Sequence, residues 1–233
     1  MDKTASPTLQ DVPRILLRGV DNYKNAFVPA SGMAILVLAL YGTARVAAQS
    51  SVSSNDLGVA FAIDAIGLVV ATVVALPWFR LALRTEWRIE ADAQADLSEV
   101  KWRSMVVSAL FFWGGMLVLL RYGNVLGVPA LVLIPVILML VWYGLFGFAA
   151  AAGIAPGLKA LGTSVRLGQG RRGTVAAVAI SLALLNLLGL SPIGSGVNPA
   201  TIAATILLLT VTTNVSMGAG AHLFDWLVRS ESQ

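Results

Sequence analysis

The sequence predicts an all-α, polytopic membrane helix bundle with six transmembrane helices, on three observations. Apolar residues make up 57% of the 233-residue chain and charged residues only 12%, with a mean hydropathy of +0.80; a soluble domain carries about 25% charged residues. Six stretches, 30–48, 57–81, 103–120, 126–151, 173–190 and 199–220, reach or approach the ~20 apolar residues that cross a hydrocarbon core about 30 Å thick. An alternating six-span path with the N-terminus inside puts every lysine and arginine except Arg45 and Arg121 on the cytoplasmic side. Both termini are then cytoplasmic. Residues 1–28 form a lead, 29–228 a single membrane domain, and 229–233 a tail.

In the lead, Val12, Ile15, Leu16, Val20 and Phe27 recur at roughly helical spacing, with Asp11, Arg14, Arg18, Asp21 and Lys24 between them. This reads as an amphipathic helix on the cytoplasmic membrane surface or as an ordinary juxtamembrane segment. The polar lead is too long, and the first apolar run too extended, for a cleaved signal. The third and fifth spans are short and must draw on their polar flanks or tilt little. The fourth is long, and Pro129 and Pro135 predict one kinked helix, with two short re-entrant helices as the alternative.

Two connections carry most of the polarity. From Arg80 to Arg103 the chain reads as a helix leaving span two, a turn near residues 91–98, and a return. Arg80, Arg84 and Arg88 share one helix face beside the membrane. The acidic residues Glu86, Glu90, Asp92, Asp96 and Glu99 are expected away from it, in a solvated hairpin or a docking patch for a basic partner. Residues 156–173 place Leu158, Leu161, Val165 and Leu167 on one side and Lys159, Arg166, Arg171 and Arg172 towards water or headgroups. The glycines Gly168, Gly170 and Gly173 predict a tight turn. Arginines and backbone amides in such a turn suit a lipid phosphate, while the absence of GxxxxGK[ST] and GxGxxG argues against a nucleotide.

The run KALGTSVRLGQGRRGTVAAVAISLALL resembles an element of bacterial YciC-like proteins and of the membrane domain attached to some glycerophosphodiester phosphodiesterases, a Ser-x-Arg-Leu-x-x-Gly core before a spanning helix. Ser164, Arg166, Leu167 and Gly170 match that core, and Val165 replaces the usual tryptophan. LPWFRLALRTEW and the polar lead are also similar to the family's layout. The resemblance implies a six-helix protein of the bacterial inner membrane and supplies no catalytic residue.

Within the spans, Asp64 is the one acid well inside. Arg45, Arg121 and Asn186 fall towards the same outer half, so an arginine could neutralise it; the alternative is a proton or cation site. Asn214, among the hydroxyl groups of span six, is expected to bond across to a neighbouring helix. His222 and Asp225, one turn apart, could share a hydrogen bond. With no cysteine and one histidine, thiolate chemistry and His-pair metal sites are excluded, and GxSxG and HExxH are absent. No cofactor, metal, catalytic residue or nucleic-acid partner is expected.

The functional expectation is therefore a non-catalytic accessory or scaffold subunit acting by association. Its partners would be another membrane protein or a second copy, and anionic headgroups on the cytoplasmic side. Arg14, Arg18, Arg166, Arg171 and Arg172 are the headgroup candidates. Phe112, Trp113, Gly114, Gly115, Trp142 and Tyr143 are candidates for a lateral interface on spans three and four. A small oligomeric transporter or channel using Asp64 is the alternative.

Overall fold

The computed structural model describes residues 6–53, 57–89, 102–125, 129–155, 158–192 and 198–231. Among them there is no strand. After a short 3-10 turn come ten helices: α1 (Val12–Asn25), α2 (Phe27–Ser53), α3 (Leu57–Val74), α4 (Leu76–Ile89), α5 (Trp102–Val125), α6 (Pro129–Tyr143), α7 (Phe146–Ala151), α8 (Lys159–Leu167), α9 (Arg172–Leu190) and α10 (Pro199–Glu231). Four helical stretches are long and apolar enough to cross a membrane: Phe27–Ala44, Phe61–Arg88, Arg172–Leu190 and Pro199–Glu231. Met105–Met116 and Ile137–Ala151 are shorter apolar helices.

The packing order is a closed ring. α2 packs on α3, α3 on α5, α5 on α6, α6 on α9, α9 on α10, and α10 returns to α2. Lipid tails give no hydrophobic drive between helices, so small residues set the close contacts. Gly67 of α3 meets Ala44 of α2, and Gly189 of α9 lies against Thr212 and Leu209 of α10. The ring's outer surface is apolar and open, with Val28, Ile66, Leu187, Leu188 and Leu207 all exposed.

At one end, here called the base, the ring is filled. α4 and α7 pack against each other and against α10, while α8 closes over α7 and α1 lies along α10. The main apolar core sits here, around Leu76, Leu83, Phe146, Phe148, Leu167, Phe224 and Leu227. α1 does not rest on a surface with its apolar face free. Gly19 abuts the Val215 carbonyl of α10, and Ile15, Gly19, Asn22 and Tyr23 are buried.

Two expected single spans are broken. The second divides at Ala75, where Pro77 supplies no N–H to the helix ladder, and α4 continues past the bend. The fourth divides at Gly144–Leu145 rather than at its prolines, since Pro129 opens α6 and Pro135 stays helical within it. Beyond the break, α7 is buried along its whole length and ends in a Schellman motif: Ile154 N–H bonds Ala149 O, Gly153 N–H bonds Ala150 O, and Gly153 has φ of 71°. The turn expected near residues 91–98 lies outside the described residues.

Candidate functional site

The base holds a buried charged junction of three helices. On α4, Trp78, Ala82 and Glu86 recur every four residues and so form one row. That row faces α10 and α1, which leaves Glu86 fully buried at 0% exposure. His222 Nδ1–H of α10 donates to Glu86 Oε1 at 2.7 Å. Arg18 Nε of α1 lies 3.4 Å from both carboxylate oxygens. Asn22 Nδ2 reaches Glu86 Oε2 at 3.5 Å and the Ala82 carbonyl at 3.0 Å. Because a carboxylate only accepts, the hydrogen sits on Nδ1, and Nε2 of His222 has no partner among the described residues. Removing a carboxylate from water costs several kcal/mol, and the cation of Arg18 and the donors of His222 and Asn22 offset that cost.

The junction belongs to a longer seam between α4 and α10. Trp78 Nε1–H donates to Asn214 Oδ1 at 2.9 Å, eight residues before the Glu86–His222 pair on each helix. One turn on, Asp225 accepts from Trp87 Nε1–H at 3.0 Å and from Arg229 Nε–H at 3.0 Å. Thus His222 and Asp225 bond adjacent residues of α4, Glu86 and Trp87, rather than each other. Glu86, expected in a solvated acidic hairpin, is instead the most enclosed charge of the base.

Above the junction lies an apolar cavity of about 420 Å³. Trp78, Phe79 and Phe148 line it from α4 and α7, Leu182 and Asn186 from α9, and Met217 from α10. Asn186 Nδ2 donates to the Leu182 carbonyl at 2.9 Å and to Ser216 Oγ at 2.8 Å. Asn186 therefore belongs to the α9–α10 contact. Asp64 is buried at 2% exposure on α3. The side chains of Arg45 and Arg121 lie outside the described residues.

The headgroup candidates are not equivalent. Arg18 turns inward to Glu86. Arg14 pairs with Asp11 at 3.3 Å, Arg166 with Glu231 at 3.0 Å, and Arg171 donates to the Ser230 carbonyl at 3.4 Å. Arg172 is exposed, its guanidinium 5.9 Å from the centre of the Trp142 ring. Arg84, Arg88, Lys159 and Arg172 are exposed and have no carboxylate partner among the described residues.

The lateral-interface candidates divide as well. Phe112 is core, 2% exposed and 5.1 Å from the Phe146 ring. Trp113 donates to Thr72 Oγ1 of α3 at 2.6 Å. A Cβ at Gly115 would stand 3.0 Å from Met139 Cε of α6, so Gly115 faces inside the chain, whereas Gly114 has nothing within 4 Å. Tyr143 is half-buried against Phe111. Phe111, at 55% exposure, and Trp142 are the aromatics that do face outward.

The Ser164–Gly170 motif is explained by packing. Ser164, buried on α8, receives the Leu145 N–H at 3.2 Å and so caps the break between α6 and α7. Leu167 enters the core, and Gly170 takes φ of 78°, which a side chain disfavours. Among the described residues, no group of three His, Asp or Glu side chains could hold a metal ion. No family model, curated protein or solved structure matches the chain.

Proposed function

We propose that the protein is a non-catalytic, six-span subunit of the bacterial inner membrane, both termini cytoplasmic, that acts by association. Its base would meet the anionic lipids of the cytoplasmic leaflet, and its outward aromatics Phe111 and Trp142 a second membrane protein or a second copy. The observation that carries this reading is the set of exposed cations on the base, Arg84, Arg88, Lys159 and Arg172, which have no carboxylate partner among the described residues and lie beside an apolar belt. Each cation near an anionic surface contributes about 1 kcal/mol of attraction. The buried carboxylates Glu86 and Asp225 are engaged in bonds between α4 and its neighbours, and the buried hydroxyl of Ser164 is a cap at the α6–α7 break, an arrangement that supports a structural role for each.

Protein purified in mild detergent should retain anionic over zwitterionic lipid, and Lys159→Gln with Arg172→Gln should lower the amount. Equal retention of both lipid classes would reject the reading. Cysteines at Ser54 and Ser195 should label from outside intact cells and one at Ser98 should not; labelling of Ser98 would reject the topology. The buried Asp64 favours a second reading, a small oligomeric transporter or channel. Loss of flux in Asp64→Asn, with the fold intact, would select it.

A further inference from the structure

The apolar cavity between α2, α6, α9 and α10 is larger than a packing fault. Protein interiors are filled to crystal-like density with few voids bigger than a water molecule, whereas this space measures about 420 Å³, within the range of small-molecule pockets. The room comes from α9, where Ala179 and Ala183 share a lining face with Val175, Leu182 and Asn186. The opposite walls are held in place. Trp78 donates to Asn214, Phe148 meets Phe79 edge to face at 4.9 Å, and a Cβ at Gly220 would stand 2.6 Å from Phe148 Cε2.

No charged side chain lines the cavity. Apart from Trp78, its polar side chains are Asn186, Thr213 and Ser216, which gather at one end. Their hydrogens are all committed. The two N–H groups of Asn186 go to Leu182 O and Ser216 Oγ, and the hydroxyls of Ser216 and Thr213 donate to the Thr212 and Leu209 carbonyls. A carbonyl only accepts, so Leu182 O fixes the Asn186 amide with its nitrogen on that side. Asn186 Oδ1 has no hydrogen-bond partner among the described residues. This end of the cavity therefore offers oxygen lone pairs and no hydrogen. From Thr213 the lining runs ten residues along α10 to Leu223, about 15 Å at 1.5 Å per residue. The far end, at Leu223, Phe148 and Val175, is wholly apolar.

Such a lining selects by chemistry. A carboxylate or ammonium group would be stripped of water there without a counter-charge, and a pure hydrocarbon would leave the acceptors unanswered. We infer that the cavity binds a neutral alcohol dissolved in the membrane. Its O–H donates to the oxygens at the Asn186, Thr213 and Ser216 end, and its hydrocarbon lies between α9 and α10 towards Phe148 and Leu223. No cation takes part, so the site is separate from the headgroup attraction proposed for the base and does not depend on which end of the ring is cytoplasmic.

Photolabelling of the full chain in proteoliposomes, with a dodecanol carrying a diazirine on its chain, reads the site. The parent should give saturable adducts on the lining residues of α9 and α10. At equal mole fraction in the bilayer, dodecanol should displace the label about tenfold better than dodecane, the order expected for one hydrogen bond to a buried acceptor, and dodecanoate should do no better than dodecane. Stronger displacement by farnesol than by dodecanol would support an isoprenoid alcohol, and the reverse a straight-chain one. Thr213→Val with Ser216→Ala should bring the advantage of dodecanol over dodecane close to one while saturable labelling remains, a change that a purely structural role of these hydroxyls would not produce. Ala179→Phe should fill the space and abolish saturable labelling. Equal displacement by dodecanol and dodecane in the parent, a comparison that needs no variant to fold, would overturn the inference. So would adducts that never saturate, or saturable labelling unchanged in Ala179→Phe. None of these results touches the headgroup reading, which Lys159→Gln with Arg172→Gln tests separately.

Discussion

Replacing Glu86 by leucine should destabilise the protein by about 3 kcal/mol, and replacing Arg18 by leucine in the same chain should add almost nothing to that loss. Removing one partner of a buried ion pair costs about 3–5 kcal/mol, because it leaves the other charge uncompensated. Here the lower end applies. The Arg18 side chain keeps 22% exposure, and its long stem lets the guanidinium swing towards water. Within that figure, about 1–2 kcal/mol comes from His222 Nδ1–H losing its acceptor, while Asn22 Nδ2 keeps the Ala82 carbonyl. Arg18→Leu alone should cost about 2 kcal/mol, since His222 and Asn22 still serve the carboxylate. If the two residues act as a pair, the double variant should lose about 3 kcal/mol rather than about 5, a coupling near 2 kcal/mol. The assay is unfolding by SDS in mixed micelles, followed by far-UV circular dichroism on all four proteins of the cycle. Single losses that add within about 0.5 kcal/mol would refute the reasoning, because they would show that Arg18 and Glu86 do not sense one another.

Three further outcomes follow from contacts already described. Gly115→Leu should destabilise by about 1–3 kcal/mol through overpacking against Met139, measured by thermal unfolding, whereas Gly114→Leu should stay within about 0.5 kcal/mol. Ser164→Ala should cost about 1–2 kcal/mol by leaving the Leu145 N–H without its acceptor, and hydrogen exchange should quicken at the α6–α7 break first. The Thr8 backbone N–H and hydroxyl hold the Asp11 carboxyl below its usual range. Its contribution to the start of α1 is therefore present above the ordinary carboxylate pKa and lost as pH falls through the lowered one; Thr8→Ala should move the Asp11 titration upward when followed by carbon NMR of the carboxyl.

Hydropathy alone marked the apolar helices well, because burial in lipid depends on composition and length. Helices α3, α9 and α10 begin at or within one residue of the expected starts. The two interruptions were less legible, for different reasons. Pro77 lay in plain view, but a proline early in a continuing apolar run does not say whether the helix bends or ends. The break at Gly144–Leu145 depends on a hydroxyl nineteen residues later, so no local pattern contains it. Glu86 was hidden by its neighbours. The arginine row at 80, 84 and 88 invited a surface reading of the whole segment, while the row Trp78, Ala82, Glu86 on another face ran straight into the core. In α1, Arg18 was grouped with the surface cations because charge suggested it. Gly19, matched by Gly218 on α10, was the signal that this face docks.

The same distinction governs the resemblance carried by residues 164–170. Each matched position has a packing task in this chain: Ser164 caps a broken helix, Leu167 fills the core, Gly170 turns left-handed, and Arg166 ties α8 to Glu231 near the end of α10. A sequence that must insert a short buried helix at the base of a ring, then turn sharply into a spanning helix, needs these residue types at this spacing. The motif therefore specifies a corner of the fold. Specificity has to be sought where the packing leaves charge unspent. On the described residues that is the exposed set Arg84, Arg88, Lys159 and Arg172 at the base.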